Sequence, residues 1–240
     1  MKKIKFINSN CLKIIAMILM LLDHLWATIV PGNQWMTLVG RMAFPIFAFL
    51  LVEGFMHTSD YKKYLKRLFI FALISEIPFN LIYTGSWFFP FHQNVLFTLI
   101  LGLLCINEID KFKKDKKVKG RIKNIFKILL FLLFGLIGFV DYGITGILTI
   151  IVFYLFRGFK FAWIGQLISL ILLYWVFFKG QVFIVGNIEI TLQSFGILSL
   201  IPIWLYNGKR GKKSKVLQYG FYAFYPLHML CLYLIYYLFF

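Results

Sequence analysis

Nine apolar runs divide this 240-residue chain, at 11–30, 35–56, 64–83, 94–109, 125–140, 143–157, 160–178, 191–206 and 217–240. A helix needs about 20 residues to cross a bilayer. A backbone placed in hydrocarbon must satisfy its own polar groups, which restricts such runs to helices. The fourth to sixth runs are short, and the N-terminal one, opened by MKKIKF, reads as a retained first helix because Asp23 and His24 interrupt it and no small-residue cleavage pattern follows.

Composition agrees with a membrane chain. Hydrophobic residues make up 61% and aromatic ones 20%, and the mean hydropathy is +0.82, well beyond the roughly 45–50% apolar content of soluble domains. A net charge of +17 would point to nucleic acid in a soluble protein. Here the basic residues gather in short segments between apolar runs, so no nucleic-acid partner is expected. With the N-terminus inside, the segments 1–13, 57–67, 110–127, 157–160 and 207–216 hold 24 of the 26 Lys and Arg, leaving Arg41 within a span and Lys179 outside. That is a strong positive-inside distribution.

The expected architecture is therefore all-α. It is a polytopic integral protein of the cell membrane, a single helical bundle of about nine transmembrane helices over residues 1–240, N-terminus in and C-terminus out. No internal repeat is visible, which disfavours transporter plans built from duplicated halves. The outer segments 31–34, 84–93 and 179–190 read as loops, with Trp35, Trp87, Phe88 and Phe89 suited to an interfacial belt. The Lys-rich 110–123 segment reads as a solvated loop that touches anionic lipid head groups. Cys11, Cys105 and Cys231 form neither a disulfide framework nor a zinc pattern, so no metal is expected.

Ionisable side chains inside the spans carry the functional signal, because each costs at least ~2.5–3.5 kcal/mol at the centre of a membrane helix. On the expected topology Asp23, His24, Arg41, Glu76, Asn94, Asp141 and His228 reach one level, slightly outside the midplane. Lys13 lies eleven residues before His24, on nearly the same helix face and ~16 Å away. Glu53 and His57 close the second run on the inner side, so a polar track across the membrane is expected. Asp23 and Arg41 are candidates to pair with each other. His24 needs an orienting partner from another helix, and Asp141 and Glu76 are the carboxylates at suitable depth. Pro45, four residues after Arg41, predicts a kink, and Pro78 after Glu76 predicts a broken helix end. Asp141 is also placed to cap the sixth helix, while His57 and His92 read as solvated loop residues.

Six segments, in order, resemble the TraX family: LKIIAMILMLLDHL at 12–25, GRMAFPIFAFLLVEGFMHT at 40–58, YLKRLFIFALISEIPFN at 64–80, QNVLFTLILGLL at 93–104, DYGITGIL at 141–148 and FYAFYPLHML at 221–230. The resemblance runs nearly end to end. The family is named for a conjugative-plasmid protein that acetylates the N-terminus of F-type pilin, and it is similar to the wider acyltransferase-3 class. That likeness implies a membrane acetyltransferase that takes acetyl-CoA from the cytoplasm and serves an acceptor at or beyond the outer side, either a peptide N-terminus of pilin type or a glycan hydroxyl. The acyltransferase-3 class places a histidine ten intervening residues after an early arginine. Lys13 and His24 match that spacing, with lysine in place of arginine.

On this reading His24 is the candidate base and His228 the second choice. Asp23 belongs to the same catalytic group, and Arg41 or Asn94 would stabilise the oxyanion. Lys13 and Arg67 would meet coenzyme A phosphates, and Glu53, Glu76, Asn94 and Asp141 would line the site. The alternative is a proton-coupled small-solute transporter, for which intramembrane Asp, Glu and His are equally natural.

Overall fold

A computed structural model describes residues 5–178, 180–185, 188–212 and 214–239; Lys179, read above as an outer residue, lies outside the described residues. The first helix, α1 (Ser9–Thr28), starts where the side chain of Asn8 accepts the N–H of Cys11 at 3.0 Å. This supplies one of the orphan donors of a helix start with an acceptor.

The second apolar run is two helices rather than one kinked helix. α2 (Gln34–Gly40) and α3 (Ala43–His57) are separated by a turn at Arg41 and Met42. The break therefore falls one turn before Pro45. Pro45 is the third residue of α3, where a backbone N–H has no intrahelical acceptor, so its missing donor is harmless there. α3 is the most enclosed element: nine of its 15 residues are buried, from Ala43 to Glu53.

α4 (Tyr61–Thr84) is capped by Asp60, whose carboxylate accepts the Lys63 N–H at 2.9 Å. That backbone donor, with the Lys63 ammonium, holds the exposed Asp60 carboxyl below the usual range. α4 passes through Pro78 without ending, contrary to the expected break near Glu76, and stops at Gly85 in a left-handed conformation, φ 67°. α5 (Val95–Lys114) and α6 (Val118–Ile137) extend far into the Lys-rich segment, so only residues 115–117 connect them and the expected solvated loop is mostly helix. α7 (Gly143–Leu155) follows. α8 (Ala162–Ile171) widens into a π-helical turn at Leu172–Phe177.

The architecture is not purely helical. Residues read as an outer loop form an antiparallel hairpin, β1 (Val182–Val185) with β2 (Ile188–Thr191), in which Val182 faces Thr191. The β-branched and aromatic run VFIV and the apolar/polar alternation of IEIT are the local cause. The next run, expected as one span, is a 3-10 segment (Leu192–Ser199) followed by the five-residue α9 (Leu200–Trp204). α10 (Lys215–Phe239) closes the bundle, with Pro226 inside it.

Each end of the bundle is tied by its own polar contacts. At one end Arg157 meets Glu53 at 2.7 Å, Glu108 meets Lys111 at 2.5 Å and Lys127 at 3.4 Å, and Ile7 pairs with Tyr206. At the other, Asp23 meets Arg41 and Gln93 pairs with Val140. Among the described residues, Ser9–Thr28, Gln34–His57 across its break and Lys215–Phe239 are long and apolar enough to cross a membrane. The outward faces are apolar too: Phe69, Ile70, Leu73, Ile74 and Ile77 are exposed along α4, at helical spacing, as are Ile122, Phe126, Leu129 and Leu133 along α6. Such faces are unfavourable in water over this extent and suit lipid.

Candidate functional site

A single cavity of about 1180 Å³ joins the two ends of the bundle. Its basic end is lined by Lys13, Glu53, His57, Arg67 and Arg210, its waist by Met17, Met20, Phe47, Leu50 and Leu51, and its far end by Asp23, His24, Arg41, His92 and Asp141. The track that residue spacing suggests along α1 is therefore lined by residues of several helices. Lys13 and His24 both face it.

The orienting partner of His24 is a second histidine, not a carboxylate. Nδ1 of His24 lies 2.7 Å from Nε2 of His228, in α10, with the ring planes 16° apart. Nδ1 of His228 lies 2.7 Å from the carbonyl oxygen of Phe224, and the Phe224 ring stacks on His228 at 4.7 Å. Both imidazoles are buried. The expectation that Asp141 or Glu76 would serve His24 fails because both carboxylates are committed elsewhere. His228 stands behind His24 and does not line the cavity.

Asp23 and Arg41 do pair, at 3.1 Å, and a hydroxyl absent from the sequence reading completes the set: Thr37 donates to Asp23 Oδ1 at 2.7 Å and accepts from Arg41 Nη2 at 2.9 Å. Thr37 is buried on α2, one helical turn before Arg41. The approach of α1 to α2 depends on Gly40, where an added Cβ would stand 2.5 Å from Cβ of Asp23. Gly40→Val should therefore lower stability by about 1–3 kcal/mol, read as a lower melting temperature in detergent. Gly32→Ala, at a position with nothing within 4 Å, should leave it unchanged.

Two further polar groups differ from expectation. Asn94 caps α5, accepting the Leu96 N–H at 3.0 Å, and its amide donates to Glu76 at 2.5 Å and to the Ala72 carbonyl at 2.9 Å. With both N–H groups engaged it has no donor left for an oxyanion, and neither it nor Glu76 lines the cavity. Together they tie α4 to α5. Asp141 does not cap α7. Tyr142 occupies the cap position in a left-handed conformation, and Asp141 accepts the Tyr142 N–H at 3.1 Å. Asp141 instead faces His92 at 3.9 Å, and both line the cavity. His92 packs edge-on against Phe79 at 4.9 Å and keeps 39% of its side-chain surface exposed, so it lines the cavity while still meeting solvent. His57 is solvated as expected, its side chain 60% exposed, but it ends α3 rather than lying in a loop, with Nδ1 2.8 Å from the Glu53 carbonyl.

At the basic end, Lys13 sits over the Phe221 ring at 4.9 Å. Arg67 lies beside the Tyr64 ring at 5.9 Å, with its buried Nε lacking a hydrogen-bond partner. Arg210, counted in the sequence only as one of the loop charges, belongs with them. Its loop is bound to the start of α1 by Ser9 N to the Lys209 carbonyl at 2.9 Å and by the Asn10 amide to the Lys212 carbonyl at 2.9 Å. Three cations around a cavity mouth, one with an unspent N–H, are the donor set that phosphate oxygens require.

Residues 8–236 match the family described as "TraX protein". The chain belongs to the TraX family. A relative from Dichelobacter nodosus described as "Probable fimbrial assembly protein FimC, serogroup H1" is 38% identical over 112 residues. That match covers 40% of this chain and 43% of the relative, so the chain spans less than half the length of that protein. No solved structure matches the chain. The TraX match runs through every helix that lines the cavity, from Lys13 on α1 to Tyr225 on α10.

The sequence missed Thr37, His92, Arg210 and the pairing of the two histidines in this TraX chain. A hydroxyl four residues before an intramembrane arginine is a usable signal for Thr37. Arg210 had none, because a loop cation looks the same whether it marks orientation or faces a cavity.

Proposed function

We propose that this TraX chain is a membrane acetyltransferase that moves an acetyl group from cytoplasmic acetyl-CoA to an acceptor amine or hydroxyl at or beyond the outer side of the membrane. One observation carries the reading: a single cavity has cations at one end and a histidine at the other, about 16 Å away by helix rise. A phosphopantetheine arm separates the phosphates of coenzyme A from its thioester over a comparable length. Lys13, Arg67 and Arg210 hold the phosphates at the cytoplasmic mouth, and the apolar waist takes the arm.

At the far end His24 accepts the acceptor's proton as its nitrogen or oxygen attacks the thioester carbonyl. The new bond to the acetyl carbon forms, the oxyanion is stabilised by the Arg41 guanidinium, and the C–S bond then breaks. The thiolate leaves with the proton that His24 took, so the base is restored. Asp23 and Thr37 hold Arg41 in place. Asp141 and His92 form the rim that meets the acceptor. The basic helix ends face the cytoplasm, in keeping with the positive-inside rule.

Inside-out membrane vesicles from cells producing the protein, supplied with acetyl-labelled acetyl-CoA, test this. Label should pass to material inside the vesicles at a rate proportional to the amount of protein. A solute transporter, the other use of intramembrane His and Asp, would move no label, and that result would remove the enzymatic reading.

A further inference from the structure

We propose that His228 is a positioning residue that fixes His24 as the tautomer protonated on Nδ1, leaving the lone pair of His24 Nε2 as the basic site. The proposal rests on the reading of His24 as the base, and it deepens that reading by naming which nitrogen acts and what holds it.

A carbonyl oxygen only accepts, so the 2.7 Å contact between His228 Nδ1 and the Phe224 carbonyl requires a proton on His228 Nδ1. In a neutral imidazole the other nitrogen is then an acceptor. His24 Nδ1, 2.7 Å from His228 Nε2, must therefore be the donor of that contact. With Nδ1 protonated, the second nitrogen of neutral His24 carries a lone pair. His24 lines the cavity, whereas His228 does not. The rule is the one by which the bond at one ring nitrogen sets the state of the other.

The same chain of contacts excludes a relay. A proton passed from His24 to His228 would make an imidazolium whose Nδ1–H is held against the Phe224 carbonyl, an oxygen far too weakly basic to take that proton on. His228 therefore orients, while the proton taken from the acceptor stays on His24 Nε2 until the thiolate collects it. Stacking of Phe224 on the His228 ring and the helical i, i+4 contact to Phe224 keep the acceptor nitrogen pointed at α1. An imidazole without such a partner favours the tautomer protonated on Nε2, which would present an N–H to the acceptor instead of a base.

The test is nitrogen NMR of the full-length protein in micelles, with labelled histidine; the chain has four histidines, and His24 is assigned by its loss in His24→Asn. The wild-type protein should show His24 with a protonated Nδ1 and an unprotonated Nε2. In His228→Leu it should turn to the opposite tautomer, and labelled transfer in the vesicle assay should fall at least tenfold in kcat with KM for acetyl-CoA unchanged. His228→Gln, whose side-chain oxygen accepts the same N–H, should restore both the tautomer and most of the rate. A wild-type His24 protonated on Nε2, or a His228→Leu variant with the tautomer unmoved, would overturn the proposal while leaving the enzymatic reading intact. If the tautomers behave as stated but His24→Asn transfers acetyl at full rate, the catalytic reading falls and the positioning role falls with it.

Discussion

His24→Asn should lower acetyl transfer by about 10²–10⁴-fold, the range a general base contributes, in a protein that melts near the wild-type temperature. The choice of asparagine matters. Its amide nitrogen sits where Nδ1 of the histidine stood and can still donate to His228 Nε2, 2.7 Å away in the native protein. No group remains where Nε2 was. His24→Leu removes the donor as well and leaves a buried imidazole nitrogen unsatisfied, which costs about 1–3 kcal/mol. The pair of variants thus separates loss of chemistry from loss of structure. Transfer and thermal melting measured on the same two preparations decide it, and an active His24→Asn protein would rule out His24 as the base.

Arg41→Ala should have the largest effect on stability, about 3 kcal/mol, because it leaves the Asp23 carboxylate enclosed without its partner. Both side chains are largely shielded, with 22% and 16% of their surfaces exposed, so water replaces the lost contact only in part. Asp23→Asn in the Arg41→Ala background removes the stranded charge and keeps an acceptor for the Thr37 hydroxyl, so most of the melting temperature should return. A double-mutant cycle across these two positions should give a coupling of at least 1 kcal/mol. Transfer should not return with stability, since an oxyanion donor contributes about 10²–10³-fold by itself. Recovery of both properties together would make Arg41 a structural residue only.

The sequence disclosed this site unevenly, for physical reasons that differ by residue. Asp23, His24 and Arg41 were legible because a charge within an apolar run is costly, so each demanded a purpose. Lys13 was legible because eleven residues on a helix return to nearly the same face. Partner choice was not legible: Glu76 and Asp141 lie at the same depth as His24, but Glu76 is engaged by Asn94 and Asp141 faces His92. Depth along a helix can be counted from sequence, whereas rotation about its axis depends on packing. The hairpin at Val182–Thr191 was missed because an apolar β-branched stretch beside a membrane span carries the same hydropathy as a loop that dips into the interface. The turn at Arg41 and Met42 was misplaced because proline marks the first turn of a new helix as readily as a kink within an old one.

On the proposed mechanism the cationic mouth holds the acetyl donor at a distance from the base. Calorimetric titration of acetyl-CoA into the purified full-length protein in detergent reads that contact itself. Saturable binding is expected, weakened at least tenfold by Lys13→Ala together with Arg210→Ala and unchanged by His24→Asn. A protein that binds no acetyl-CoA, or binds it equally well without those two cations, would rule out this mode of donor binding.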